Sequence, residues 1–214
     1  SGFDPVEYET TMADAVRTVV ARQVEAGIDL VSDGEQSKIS YATYIKDRIT
    51  GFDGDSPRRT PQDLEAFPSF LKRLASSGGS PQYRRPRCVG PIAPKTPAPL
   101  TADIAHLHAA IAATGSSAPT GTFMNAASPG VIALFQPNEY YPSHEAYLNA
   151  LAEAMRPEYE AIVAAGFILQ LDCPDLGLGR HMMFKDKTES EYIHLAHQHV
   201  DALNTALRNI PAER

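Results

Sequence analysis

The sequence has few cysteines, which stabilise small secreted proteins as disulfides, and lacks the long apolar runs that hold a chain in a membrane. Cysteine occurs only at Cys88 and Cys173 in 214 residues, so no disulfide framework is predicted and a reducing, cytoplasmic location is favoured. No apolar run reaches the roughly 18 residues that a transmembrane helix needs, and none is predicted. The first residues also lack the basic and apolar regions of a signal peptide.

Positive charge is also scarce. Lysine and arginine total 19 against 26 acidic residues, which gives a formal net charge of −7. This balance argues against nucleic acid or an anionic membrane as a partner. Hydrophobic residues at 43% and charged residues at 21% are typical of a soluble globular protein. The length fits a single domain over residues 1–214.

One pattern occurs twice: an amphipathic helix ending at Ala-Gly, a short apolar segment, and then acidic residues. In both copies an aspartate follows six residues after the glycine, Asp33 after Gly27 and Asp172 after Gly166. Glycine accepts the left-handed conformation that ends a helix, and the apolar segment predicts a strand buried on both faces. Because α/β folds build their sites at the carboxyl ends of parallel strands, the pattern predicts an α/β enzyme.

Helix and strand signals alternate about four times. Helix starts are predicted at Asp4, Thr101, Ser143 and Thr188, the last within a capping box. Strands are predicted at about residues 28–32, 87–92, 120–125 and 167–172. Pro157 predicts a kink or break in the third of these helices. Residues 51–99 are predicted to be an irregular, Pro- and Gly-rich insertion, with a short helix led by Thr60-Pro61 and a linker at 78–81.

Such alternation favours a parallel sheet with right-handed crossovers. The predicted fold class is therefore α/β, of the (β/α)8 TIM-barrel type. About four strands are too few to close an eight-stranded barrel. The chain is accordingly interpreted as a partial barrel, covering roughly the middle half of a larger one.

Three segments carry a family resemblance. Asp33-Gly34-Glu35 resembles a His-Gly-Glu motif after a second barrel strand. Residues 164–174, with Gln170-Leu171-Asp172-Cys173-Pro174, resemble Ala-Ala-Gly followed by Gln-Ile-Asp-Glu-Pro. Residues 120–130 are similar to the strand and loop before a long fourth helix. With these segments the chain resembles, from about residue 4 to 209, the catalytic C-terminal domain of cobalamin-independent methionine synthase and its short single-barrel relatives.

The resemblance implies a methyl- or alkyltransferase acting on a small thiol, of the 5-methyltetrahydropteroyltriglutamate–homocysteine methyltransferase type. In that family zinc activates the thiolate, and two carboxylates bind the amino group of the thiol substrate. Those carboxylates carry over to Glu35 and Asp172, and charge-assisted hydrogen bonds suit an ammonium group. Asp33 takes the place of the family's histidine and is a third candidate for substrate binding.

The resemblance also implies zinc and allows a folate methyl donor, although another donor is left open. The family's zinc ligands begin on the strand after the last helix, beyond Arg214, so zinc ligands are expected outside this chain. Cys173 replaces the family's glutamate and is interpreted as a structural thiol. The histidines at 194, 197 and 199 have no supporting metal motif and are interpreted as surface or packing residues.

Two other functions stay open at this point. One is a metal-independent barrel lyase or decarboxylase related to uroporphyrinogen decarboxylase, in which the carboxylates donate protons or orient a cationic substrate. The other is a truncated, non-catalytic product whose open strand edges favour a homo-oligomer. By position alone, Tyr41, Tyr44, Asn125 and Ser128 are further candidates to line the site.

Overall fold

The computed structural model describes residues 4–56, 62–76 and 85–214. The predicted Thr60-Pro61 helix start and the linker at 78–81 lie outside these ranges. The helices are α1 Pro5–Glu25, α2 Ile45–Arg48, α3 Gln62–Glu65, α4 Pro68–Ser76, α5 Ala98–Ala112, α6 Pro129–Phe135, α7 His144–Ala164, α8 Asp175–Met182 and α9 Glu189–Ala206. The strands are β1 Leu30–Val31, β2 Phe52–Asp53, β3 Arg87–Cys88, β4 Gly121–Ala127 and β5 Ile168–Asp172.

A parallel sheet with the order β1-β4-β5 places the site. Its register pairs Leu30 with Gly121 and Ala127 with Asp172. All three strands therefore run in the same direction; the carboxyl ends of β4 and β5 are level, and the short β1 pairs with the start of β4. The predicted α/β class with a parallel sheet is confirmed.

Of the four predicted strands, the one at 87–92 was wrongly assigned to the parallel sheet. Residues 87–92 do not join the parallel sheet; they contribute β3, which pairs antiparallel with β2. Pro86 precedes this segment and Pro91 lies within it, and neither has a backbone N–H to give to a ladder, so a central strand cannot extend there. The described chain thus has a parallel sheet of three strands, and a closed barrel is not formed by these strands.

Several helix boundaries follow the predicted capping chemistry. Asp4 accepts hydrogen bonds from the backbone of Val6 and Glu7 at the start of α1, and Gly27 after that helix has a φ of 76°. The capping box at Thr188 and Glu191 is present at the start of α9. These local side-chain bonds satisfy backbone donors that a helix leaves open at its first turn.

Other boundaries differ from the prediction. The helix predicted from Thr101 begins at Ala98, and the Thr101 hydroxyl instead donates to the Pro97 carbonyl at 3.1 Å. The loop within residues 120–130 is short, because Ser128 caps α6 by accepting from the Val131 backbone N–H. Helix α7 runs through Pro157 without a break, since the burial of much of its length outweighs a proline cost of about 3 kcal/mol.

The core lies between the sheet and the helices packed on its outer face. From the sheet it takes Val31, Met124 and Ala126, and from α7 it takes Leu151 and Tyr159, all at most 1% exposed. Helix α7 packs against α9 and α6, and α1 packs against α5. In the part of the chain that the structure describes, no helix is long and apolar enough to cross a membrane.

Candidate active site

The turn after β1 holds Asp33 and Glu35 in different roles. Asp33 is buried at 2% exposure, and its Oδ1 accepts the backbone N–H of Glu35 at 2.9 Å. Gly34 and Glu35 both have positive φ, 63° and 54°. A positive φ is uncommon for glutamate and often marks a functional position. Asp33 therefore stabilises the turn through its hydrogen bond, and the side chain of Glu35 projects from the turn.

Asp172 ends β5 and is bonded to Asn125 on the neighbouring strand. The amide Nδ2 of Asn125 donates to Asp172 Oδ2 at 3.1 Å. The register of β4 and β5 puts both side chains on the same sheet face, because side chains alternate along a strand. Asn125 is 7% exposed, so it holds the aspartate from a fixed position.

Lys38 connects the two predicted acids. Its Nζ lies 2.6 Å from the Asn125 carbonyl oxygen and 3.3 Å from Asn125 Oδ1. The same Nζ lies 3.8 Å from Glu35 Oε1, and the lysine side chain is only 4% exposed. The structure therefore brings Glu35 and Asp172 into one network through Lys38 and Asn125. The sequence analysis did not single out Lys38, since one lysine in a polar loop carries no distinctive signal.

One acceptor in this network has no hydrogen-bond donor. Glu35 Oε1 is buried, although the side chain as a whole is 37% exposed, and it makes no hydrogen bond to any described residue; Lys38 Nζ lies 3.8 Å away. An unsatisfied buried carboxylate oxygen costs free energy unless a donor reaches it. No described donor satisfies this oxygen, so it is an open acceptor in the network.

The buried Tyr44 side chain packs against this network. The Tyr44 hydroxyl donates to Glu158 Oε1 at 2.9 Å and accepts from the Ala127 backbone at 3.1 Å. Lys38 Nζ lies 4.8 Å from the centre of its ring. Burial, and then the charge of Glu158, raise the pKa of Tyr44 well above its usual value. Tyr44 is therefore a neutral buried support, whereas Tyr41 packs edge-on against Phe135.

A second network lies behind the loop after β4. The buried Asp175 carboxylate accepts from Ser128 Oγ at 3.1 Å and bonds His199 Nδ1 at 2.7 Å. His199 Nε2 in turn lies 2.8 Å from His144 Nε2. Gly130 is needed here, since a Cβ at that position would lie 2.1 Å from Asp175 Oδ2. His199 is a packing residue, as interpreted from the sequence, but one with two specific polar partners.

Cys173 lies between the two networks and is half-buried. Burial raises the pKa of its thiol, although a hydrogen bond with Ser128 lowers it. A raised thiol pKa disfavours the thiolate and therefore a nucleophilic role. This agrees with the interpretation of Cys173 as a structural thiol.

The zinc that the family resemblance implies has no site among these side chains. Within residues 4–56, 62–76 and 85–214, no three His, Cys, Asp or Glu residues are placed to hold a metal ion. Catalytic zinc usually has three protein ligands in close geometry. The described residues therefore do not fit a zinc ion.

The fold and the site together define the class of this protein, an α/β protein with carboxylates at the carboxyl edge of a parallel sheet. Comparisons with known proteins refine this class. No family model matches the sequence. A methionine synthase of Sulfolobus acidocaldarius is 27% identical over 169 residues, which cover 78% of this chain and 43% of that protein. A methionine synthase of Saccharolobus solfataricus is 28% identical over 171 residues, covering 79% and 44%.

Two solved structures share the fold. A B12-independent methionine synthase from Shewanella sp. W3-18-1, in complex with selenomethionine, superposes with a TM-score of 0.69 at 21% identity, covering 97% of this chain and 51% of that chain. A putative vitamin-B12-independent methionine synthase from Listeria monocytogenes gives 0.65 at 20% identity, covering 98% and 54%.

The resemblance to the cobalamin-independent methionine synthase family is therefore confirmed in sequence and in fold. The chain spans about half the length of the curated relatives it matches.

Proposed function

We propose that this chain belongs to a methyl- or alkyltransferase that acts on a small thiol bearing an amino group. Glu35 and Asp172 would bind the ammonium group, and Asp33 would hold the turn that presents Glu35. The observation that carries this proposal is the network in which Lys38 and Asn125 join the two carboxylates at one sheet edge. The relatives support it, since they are named methionine synthases.

The residues act by positioning the substrate. Two carboxylates around one ammonium group fix its orientation through charge-assisted hydrogen bonds. Asn125 limits the rotation of Asp172, and the left-handed backbone at Glu35 sets the direction in which its side chain leaves the turn. In the reaction the thiol sulfur forms a bond to the methyl or alkyl carbon, the donor leaves with the bonding electron pair, and the proton given up by the thiol ends on the departing donor. Holding the sulfur at a fixed distance from the carboxylates favours attack from one direction.

Zinc activation and a folate donor belong to the proposal only through the family resemblance. A zinc ion would lower the pKa of the thiol, but its ligands are not among the described residues. A soluble, cytoplasmic protein with a small-molecule substrate fits the same proposal. No observation in the described part of the chain favours the metal-independent lyase over it.

Calorimetric binding of methionine tests the role of the carboxylates. Glu35→Gln and Asp172→Asn should each weaken methionine binding by about 10- to 100-fold, because a charge-assisted hydrogen bond contributes about 1.5–3 kcal/mol. Neither variant should weaken binding of 4-(methylthio)butanoate, which is methionine without its amino group. Asp201→Asn, on the exposed face of α9, is the matched control. Equal losses for both ligands, or no loss in either variant, would refute the proposed ammonium site.

A further inference from the structure

A cleft of about 750 Å³ lies between the first halves of α1 and α5. The loop that contains Lys38 and Tyr44, together with α2, closes one side. Apolar side chains form most of the remaining wall: Tyr8, Met12, Ile39, Ala98, Pro99 and Ala102. A concave, mainly apolar space of this size with a few converging polar groups is typical of small-molecule sites.

The polar wall of the cleft contains a buried arginine with unused donors. Arg48 Nη2 bonds Asp103 Oδ2, and the two side chains are 8% and 7% exposed. Arg48 Nη1 is buried and has no hydrogen-bond partner in the described part of the chain. Lys38 lines the same wall. The Tyr44 ring lies near both cations, 4.8 Å from Lys38 Nζ and 5.6 Å from Arg48 Cζ.

The other charged groups around the cleft already have partners. Lys46 is paired with Asp47 at 2.8 Å, and His106 lies 3.3 Å from Glu9. The free donor capacity therefore lies on Arg48. A buried charged donor without a partner costs more than a neutral one, and a ligand oxygen at this wall would remove that cost.

We propose that this cleft binds an organic anion that combines an apolar body with a carboxylate or phosphate group. The acidic group takes hydrogen bonds from Arg48, whose planar fork suits both carboxylate and phosphate oxygens. The apolar body lies over Met12 and Ala102. The site is separate from the carboxylates Glu35 and Asp172, although Lys38 borders both, and it stands whether or not the proposed thiol chemistry is correct.

Fluorescence titration with 8-anilinonaphthalene-1-sulfonate, an aromatic anion, tests the site on the full chain. Benzoate and phenyl phosphate should each displace the dye, and their relative strength distinguishes a carboxylate from a phosphate ligand. Benzyl alcohol, which has the same ring without charge, should be at least about tenfold weaker, a difference of about 1.4 kcal/mol.

Three variants locate the binding. Ala102→Phe fills the cleft without touching a charge and should weaken dye binding at least about tenfold. Ala109→Phe, the same change at an exposed position of α5 outside the cleft, should leave it unchanged. Arg48→Lys keeps the ion pair with Asp103 but loses the fork, and should reduce displacement by benzoate and phenyl phosphate. Far-UV circular dichroism checks that each variant is folded.

Dye binding that survives Ala102→Phe would overturn the proposal, as would displacement by benzyl alcohol as strong as that by benzoate. Asp172→Asn should leave dye binding unchanged, because Asp172 does not line the cleft and bonds Asn125, which does not line it either. This result separates the cleft from the thiol site, so that failure of one proposal does not count against the other.

Discussion

His144 is the last member of a hydrogen-bond chain that runs from the buried Asp175 through His199. His199 is fixed by Asp175, and its Nε2 lies 2.8 Å from His144 Nε2. Burial, and then the proximity of His199, lower the pKa of His144 from its usual 6.5 to about 4. His144 is therefore neutral at pH 7, and folding holds it in that state at pH values where the unfolded chain binds a proton.

The sign of the resulting pH dependence follows from linkage. Between about pH 6.5 and pH 4 the unfolded state binds more protons at this position, so stability rises with pH across that window. Lowering the pH from 7 to 5 should cost about 1–2 kcal/mol through His144, after allowing for the screening of a half-buried ring. Urea unfolding of His144→Gln should show a correspondingly smaller loss over this interval.

His181→Ala, at an exposed position of α8, provides the comparison. It should keep the pH dependence of the parent protein, because it leaves His144 and its contact with His199 in place. A parent-like pH dependence in His144→Gln would contradict the desolvation of His144 in the folded protein.

At the residue scale, the sequence predicted the acids of the candidate site but not what surrounds them. Glu35 and Asp172 follow from their places after apolar strands, and their binding role stays a prediction. Asn125 was suggested by its position at a strand end, and the structure bonds it to Asp172. Lys38 could not be found in this way, because its partner Asn125 lies 87 positions away, a pairing that only the tertiary fold reveals.

At the scale of single elements, local chemistry predicted best where a side chain bonds its own helix. The capping box of α9 is an example, since Thr188 Oγ accepts the Glu191 N–H at 3.3 Å and Glu191 Oε2 accepts the Thr188 N–H at 2.8 Å. Both partners lie within four residues. Helix α8 was not predicted, because its glycines at 177 and 179 are poor helix formers and the helix is held by tertiary contacts.

The capping box allows a direct test at this scale. Thr188→Ala should lower the free energy of unfolding by about 1 kcal/mol, the usual cost of losing a cap. Thr18→Ala is the matched control, since the Thr18 hydroxyl only bonds the Asp14 carbonyl within α1, and alanine is the better helix former. Urea titration should therefore show a loss for Thr188→Ala alone. Equal effects would mean that the cap contributes nothing beyond helix propensity.

At the scale of the whole molecule, the repeated helix-glycine-strand pattern explains why the α/β class could be predicted. Each copy produced a helix followed by a parallel strand, β1 after α1 and β5 after α7. The pattern could not show which strands pair. The prolines around β3 turned that segment to an antiparallel partner, so the sheet has one parallel strand fewer than predicted.

The same architecture buries much of α7. It packs against α6, α9 and β5, and its Leu151 is fully buried. Leu151→Ala should lower the free energy of unfolding by about 2–5 kcal/mol through lost transfer energy and a residual cavity. For a domain of this length, a loss near 3 kcal/mol lowers Tm by about 6–12 °C.

Leu178→Ala makes the same chemical change on α8, where the side chain is 43% exposed. It should lower Tm by no more than about 3 °C, because little apolar area leaves water at that position on folding. Because both variants remove the same side-chain atoms, the difference between their Tm values measures the effect of burial. A drop in Leu151→Ala as small as that in Leu178→Ala would mean that α7 is not packed between the sheet and α9, and the three-stranded arrangement that supports Asp172 would then be wrong.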